Sequence, residues 1–377
     1  MNRIDKYRGC LIGGAAGDAL GYAVEFLNID QIVRKYGASG ITAYELENEI
    51  AQISDDTQMT LFTANGLLLG TTRGMMRGMM GEYRYYVDCC YQDWLRTQDE
   101  ALPSQVEHHY SWLINVPVLF ARRAPGNTCL SALRAGGKGT IEQPVNQSKG
   151  SGGIMRVAPV GLYFGNKQNY TQKQIDRIGA EVAAITHGHE LGYLPAAALV
   201  HIISLLAHHD GISILAAVKD AMAAMGEQFA NATHLDVLLA LMQKAIDLAT
   251  TQLPDIDAIR ELGAGWVAEE TLAIAIYCTI KYAHDFDKAL IAAVNHDGDS
   301  DSTGSVTGNI LGAFLGLDAI ATKYIDHLEL KNIILEIADD LYHDCQMTEY
   351  GSHYDDIWVR KYVDCTYVPT NAPCAWA

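Results

Sequence analysis

The chain has 377 residues, 49% hydrophobic and 19% charged, which excludes a disordered chain, since disorder needs far more charge and far less apolar mass. A chain of this length forms one large domain or two ordinary ones, and typically buries about 75% of its unfolded surface, enough to enclose a deep site. A formal net charge of −18 works against bulk binding to nucleic acid, which depends on Lys and Arg neutralising phosphates.

In chain order, the N-terminal run MNRIDKYRGCLIGGAAGDALGY turns apolar only after Arg8 and is interrupted by Asp18 and its glycines, so it is expected to be a helix and not a secretion signal. Gly13, Gly14, Ala15, Ala16, Gly17 and Gly21 give that helix a nearly bare surface, at a cost of about 1 kcal/mol per glycine. Either a second helix or a ligand must approach it closely. The segment Ser54-Asp55-Asp56-Thr57 then opens the apolar run MTLFTANGLLLG at a helix start. Apolar residues three and four apart predict helices over Gln174–Thr186, Ile212–Met225, Asp236–Ala249, Glu269–Ala283 and Lys331–Tyr342. Leu191–Ala207 is the most apolar stretch, but it carries Pro195 and His201 and falls short of the roughly 20 residues that span a bilayer, so it is expected to be a buried helix and no membrane partner is expected.

Alternating β-branched runs are almost absent, no repeat appears, and no Pro- or Ser-rich linker divides the chain. The expectation is an all-α, single-domain helical bundle over residues 1–345. From 346 to 377 periodicity fades and aromatics accumulate, as in an irregular tail lying over the body. Eight cysteines without a CxxC pair suit neither a disulfide scaffold nor a zinc site; reduced thiols in the cytoplasm fit best, with Cys89 and Cys90 buried or incidental.

The second acidic segment, Asp297-Gly298-Asp299-Ser300-Asp301-Ser302-Thr303-Gly304, opens the run NILGAFLG. Helix capping accounts for one aspartate in each motif, but not for five. Carboxylates held together repel unless protonated or bridged by cations, and their alternation with hydroxyl residues supplies the hard oxygen ligands that magnesium prefers. A divalent-metal site is the better reading. Calcium fits the ligand type as well, although the spacing is not that of an EF-hand.

The segments GDALGYAVEF, SDDTQMTLF, RRAPGNTCLSALRAG, SKGSGGIMRVAPVGLYF, THGHELGYLPAAAL, GWVAEETLAIAIYC and GDSDSTGSVTGNILGA resemble, in order, the motifs of the ADP-ribosylglycohydrolase family, from about residue 8 to residue 320. The resemblance implies an orthogonal helical bundle with two Mg²⁺ ions, for which Mn²⁺ can substitute, at the base of an ADP-ribose cleft. It makes Ser54, Asp55 and Asp56 one set of metal ligands and Asp299, Asp301 and Ser302 the other, Ser302 standing where other members often have Thr. Asp297 falls outside the matched ligands, as a cap or an outer acceptor. Glu25 matches a family glutamate on a segment able to reach a metal or leave it; the alternative is a solvated loop carboxylate.

Glycine-rich amides ahead of a helix suit a pyrophosphate, a weak signal alone. Within the family pattern it makes Ser148, Lys149, Gly150, Ser151, Gly152 and Gly153 phosphate or ribose contacts, with Met155 and Arg156 packed behind them. His187 and His189 lack a third zinc partner and read as capping or substrate-contacting groups; the resemblance puts His187 near the ligand. Trp266 reads either as an aromatic wall for adenine or ribose or as core.

The implied reaction is hydrolysis of a ribosyl bond in a mono-ADP-ribosylated protein, arginine-linked by first choice, with serine, nucleic-acid and free derivatives as alternatives. Asp55 or Asp56 would take a proton from the attacking water, and Glu25 completes the catalytic set. Two other classes remain: a noncatalytic ADP-ribose binder that neutralises an ADP-ribosyltransferase toxin as its partner, and a structural relative that has lost the chemistry. The intact acidic set argues against both.

Overall fold

In a computed structural model, residues 2–78, 80–101 and 108–369 are described, and among them sixteen α-helices form the architecture: α1 (Arg3–Tyr22), α2 (Ile29–Tyr36), α3 (Asp55–Arg77), α4 (Tyr83–Asp99), α5 (Asn127–Arg134), α6 (Ala158–Phe164), α7 (Gln172–Ala184), α8 (Glu190–His208), α9 (Ile214–Gln228), α10 (Leu235–Leu248), α11 (Asp255–Leu262), α12 (Ala268–Lys281), α13 (Phe286–Val294), α14 (Ser300–Leu315), α15 (Lys331–His343) and α16 (Asp356–Tyr362). Extended pairing among the described residues amounts to isolated bridges, including Ala51 with Leu328 and Gly150 with Val267. The all-α expectation holds.

The bare face of α1 meets a helix. Gly9, Gly13, Gly17 and Gly21 recur every fourth residue and so share one side. They face Gly312, Gly308, Gly304 and Ser300 of α14, antiparallel and backbone to backbone. A Cβ at Gly17 would overlap the Gly304 carbonyl, and one at Gly308 the Gly13 carbonyl. This pairing positions the site: it sets Asp18 and Glu25, at the C-terminal end of α1, beside Asp299 and Asp301, at the N-terminal end of α14.

α8 is long and apolar enough to cross a membrane, yet it is buried in the core, as expected from Leu191–Ala207. The C-terminal region departs from the expected irregular tail. Asp355 accepts from the Trp358 amide (3.0 Å) and starts α16. Trp358 Nε1 donates to Thr72 on α3 (2.9 Å), and Lys361 Nζ lies 2.7 Å from both Glu336 and Asp340 of α15. At seven residues, α16 is too short to display periodicity. Residues 370–377, included in the expected tail, lie outside the described residues.

Candidate functional site

Ser54 caps α3, its hydroxyl accepting from the Asp56 amide at 3.1 Å. The turn is gripped from behind by Asp18, a fully buried residue absent from the predicted set. The Asp18 carboxylate accepts from the Ser54 amide (2.9 Å), the Thr57 amide (3.0 Å) and the Thr57 hydroxyl. A lone aspartate inside an apolar, glycine-rich helix was the available signal, since a buried charge needs partners. Asp55 is held through both its backbone and its side chain: its amide donates to the Arg123 carbonyl (3.0 Å) and its Oδ2 accepts from the Gly126 amide (3.1 Å). Asp56 Oδ1 lies 3.3 Å from the Ser302 hydroxyl of α14, which joins the two predicted motifs, while its Oδ2 is buried without a partner.

On the other wall, Asp301 Oδ1 accepts from the Ser302 amide (2.8 Å), and Ser151 of the glycine loop and Asp301 both act on the proton affinity of the Asp299 carboxyl group. One oxygen each from Glu25, Asp299 and Asp301 falls within 4.8 Å of the others. Glu25 is buried and its Oε2 has no partner, so it is not a solvated loop carboxylate. Asp297 lies outside this cluster, accepting from the Ile29 amide (2.7 Å) and facing Arg260.

The cluster is electrostatically frustrated. Burial raises Asp18 and Asp299 to about 6 and Glu25 to about 10, and lifts Asp55, Asp56 and Asp301 well above the usual carboxylate range. Burial acts first on Asp56, and the neighbouring charges adding to it are Asp301, Asp18, Asp55 and Asp299, all of one sign. Hard oxygen donors, mutual repulsion and the orphaned oxygens of Glu25 and Asp56 together fit a divalent cation.

The glycine loop is sewn to the start of α12: the Ala268 amide donates to the Lys149 carbonyl (2.9 Å) and the Ser151 amide to the Trp266 carbonyl (3.2 Å). Ser148 lies 3.1 Å from the Thr128 hydroxyl, and Gly150 to Gly153 run directly into one 3-10 turn, with the next α-helix starting only at Ala158. The Lys149 ammonium pairs with Glu269, which orients it toward α12. His187 is buried beneath the loop, where a Cβ on Gly152 would lie 3.0 Å from its ring. Arg156 donates to the Thr186 hydroxyl (2.7 Å), which lies 2.8 Å from His187 Nδ1, leaving Nε2 on the side of Gly150. Burial, helped by Arg156, lowers His187 to about 3, so the ring is neutral. His189 caps α8 through Nδ1 (3.0 Å from the Leu191 amide). Trp266 is half-exposed and stacks at 6.2 Å on the exposed Phe26, the residue after Glu25, placing it at the surface and outside the core.

The sequence profile described as ADP-ribosylglycohydrolase matches residues 1–351. The chain belongs to the ADP-ribosylglycohydrolase family. It is a glycohydrolase. It is 25% identical over 334 residues to the ADP-ribosyl-[dinitrogen reductase] glycohydrolase of Rhodospirillum rubrum, covering 87% of this chain and 91% of that one. It is 23% identical over 360 residues to the ADP-ribosylhydrolase ARH3 of Homo sapiens, covering 85% and 88%. A solved structure titled ADP-ribosylglycohydrolase-related protein complex shares the fold of this family member, with a TM-score of 0.58 at 23% identity over 90% of this chain and 98% of that one.

Proposed function

We propose that the protein is a magnesium-dependent hydrolase that releases ADP-ribose from a mono-ADP-ribosylated protein, with arginine as the preferred acceptor. The observation carrying the metal dependence is the convergence of Glu25, Asp55, Asp56, Asp299 and Asp301 with orphaned oxygens and mutually raised proton affinities. Ser54, Asp55, Asp56, Asp299, Asp301 and Ser302 would hold two cations. When bound, these supply positive charge to fix ribose hydroxyls and Lewis-acid activation of water. Glu25, just beyond the end of α1, brings its carboxylate to Asp299 and Asp301. Asp55 or Asp56 accepts a proton from the attacking water. The Ser148–Gly153 loop, with Ser151 close enough to act on the Asp299 carboxyl group, orients the phosphates and ribose next to these carboxylates, and Trp266 offers a flat apolar wall to the adenosine half. The arginine preference rests on likeness to the family's arginine-directed members. The seven described cysteines are free and buried, in keeping with work in a reducing compartment such as the cytoplasm.

The test is release of ADP-ribose from arginine-linked and serine-linked substrates with Mg²⁺ supplied. The arginine substrate should turn over faster, and Asp56→Ala and Asp299→Ala should each lower the rate by several orders of magnitude. That follows because lost positioning and lost water activation together forfeit about 7 kcal/mol or more. A protein that binds ADP-ribose but leaves arginine-, serine- and nucleic-acid-linked substrates intact is a binder and not a hydrolase.

A further inference from the structure

The loop between Asp326 and Lys331 is more than 270 residues from Asp55 in sequence and contains none of the motifs that carry the family resemblance, yet it is fastened to the first acidic turn. The Ala51 amide donates to the His327 carbonyl (2.8 Å) and the Glu329 amide to the Ala51 carbonyl (3.1 Å). The Glu329 side chain is buried. Its Oε2 accepts from the amide of Ile53, the residue before Ser54, at 3.1 Å, and its Oε1 lies 3.4 Å from Arg123 Nη2. Arg123 is the residue whose carbonyl receives the Asp55 amide (3.0 Å), and three residues on, the Gly126 amide reaches the Asp55 carboxylate (3.1 Å). Glu329 therefore holds both approaches to Asp55: the chain entering the turn, and the loop that grips Asp55 at backbone and side chain. The next residue, Leu330, has φ +58° and Ala124 has φ +51°. Left-handed backbone at non-glycine residues persists where the surroundings over-determine it, and such residues cluster at functional sites.

We propose that Glu329, acting through Ile53 and Arg123, is a second positioning residue, beside Asp18, for the Ser54–Asp56 ligand turn. The inference rests on the metal-dependent reading of that turn. Groups that orient the ligands of a metal typically cost 10–100-fold in metal affinity or activity when removed. Glu329→Ala should therefore weaken Mn²⁺ binding, measured by calorimetry, by about 10–100-fold. In the metal-free protein it should also speed amide hydrogen exchange at Ile53 and Asp55, while exchange in α8 stays at the wild-type rate. Glu329→Gln keeps an acceptor for the Ile53 amide and should restore most of both properties, which supplies the measurement if the alanine variant fails to fold. Arg123→Met, which keeps the carbonyl and removes the guanidinium, should fall between them. Wild-type Mn²⁺ affinity and wild-type exchange at Ile53 and Asp55 in Glu329→Ala would overturn the assignment. If the wild type binds neither Mn²⁺ nor Mg²⁺, the metal reading fails separately, and the exchange rates at Ile53 and Asp55 decide whether Glu329 positions the turn.

Discussion

Replacing Asp18 by alanine would leave the amides of Ser54 and Thr57 and the Thr57 hydroxyl without their acceptor. Each buried donor left unpaired costs about 1–3 kcal/mol, so Asp18→Ala should unfold at clearly lower denaturant concentration than the wild type. A different residue controls part of the acid limb of stability. His208 is buried against the Leu162 carbonyl (2.9 Å), and burial lowers it from 6.5 to about 4. Below pH 6.5 the unfolded chain takes up a proton at this position that the folded chain refuses. The contribution of neutral His208 is thus complete above pH 6.5 and is lost as pH falls toward 4, with a slope of at most about 1.4 kcal/mol per pH unit. His208→Gln should flatten the stability profile in that window relative to wild type and leave it parallel above pH 7, as read by denaturant titration at a series of pH values. An unchanged slope would mean that His208 is already charged in the folded protein.

At the scale of elements, the α1–α14 contact converts an unfavourable helix composition into an aligned site. Gly17→Ala gains about 1 kcal/mol in helix propensity but drives a methyl group into the Gly304 backbone. Overpacking of this kind costs about 1–3 kcal/mol, and here the obstacle is main chain and not a flexible side chain. The variant should be less stable by calorimetry, with weakened metal binding because Asp18 and Glu25 separate from Asp299 and Asp301. Much of this layer was legible in the sequence. Lys331–Tyr342 was expected and Lys331–His343 is observed, and Glu269–Ala283 corresponds to Ala268–Lys281. Starts were misjudged where a cap outweighs periodicity: Thr171 and Gln174 form a capping box that begins α7 at Gln172, two residues before the expected start, and Ser213 delays α9 to Ile214. Both acidic motifs were readable because clustered carboxylates are costly without cations. Glu329 and Arg123 were not, because their role exists only through contacts between distant loops, and Phe26 acquires meaning only from its stacking on Trp266.

For the molecule as a whole, Asp18, Glu25, Asp55, Asp56, Asp299 and Asp301 come from both ends of the chain and meet only when α1, α3 and α14 are assembled, so the divalent cation of the proposed function would recognise the folded state and not the unfolded one. Such a ligand stabilises by about 2.7 kcal/mol at a hundred times its dissociation constant. Adding Mg²⁺ to chelator-treated protein should therefore raise the melting temperature in a concentration-dependent manner. Asp56→Asn separates this gain from its underlying cost. Asp56 Oδ2 has no partner, and the carboxyl group is buried among Asp301, Asp18, Asp55 and Asp299, so removing its charge relieves repulsion in the metal-free protein. The metal-free variant should melt at or above metal-free wild type, yet gain less from Mg²⁺. The two proteins should therefore cross in order of stability as Mg²⁺ is raised. If Asp56→Asn gains the same increment as wild type in thermal unfolding with and without chelator, Asp56 is not a metal ligand, and the α3 turn contributes through Ser54 and Asp55 alone or not at all, beside Glu25, Asp299 and Asp301.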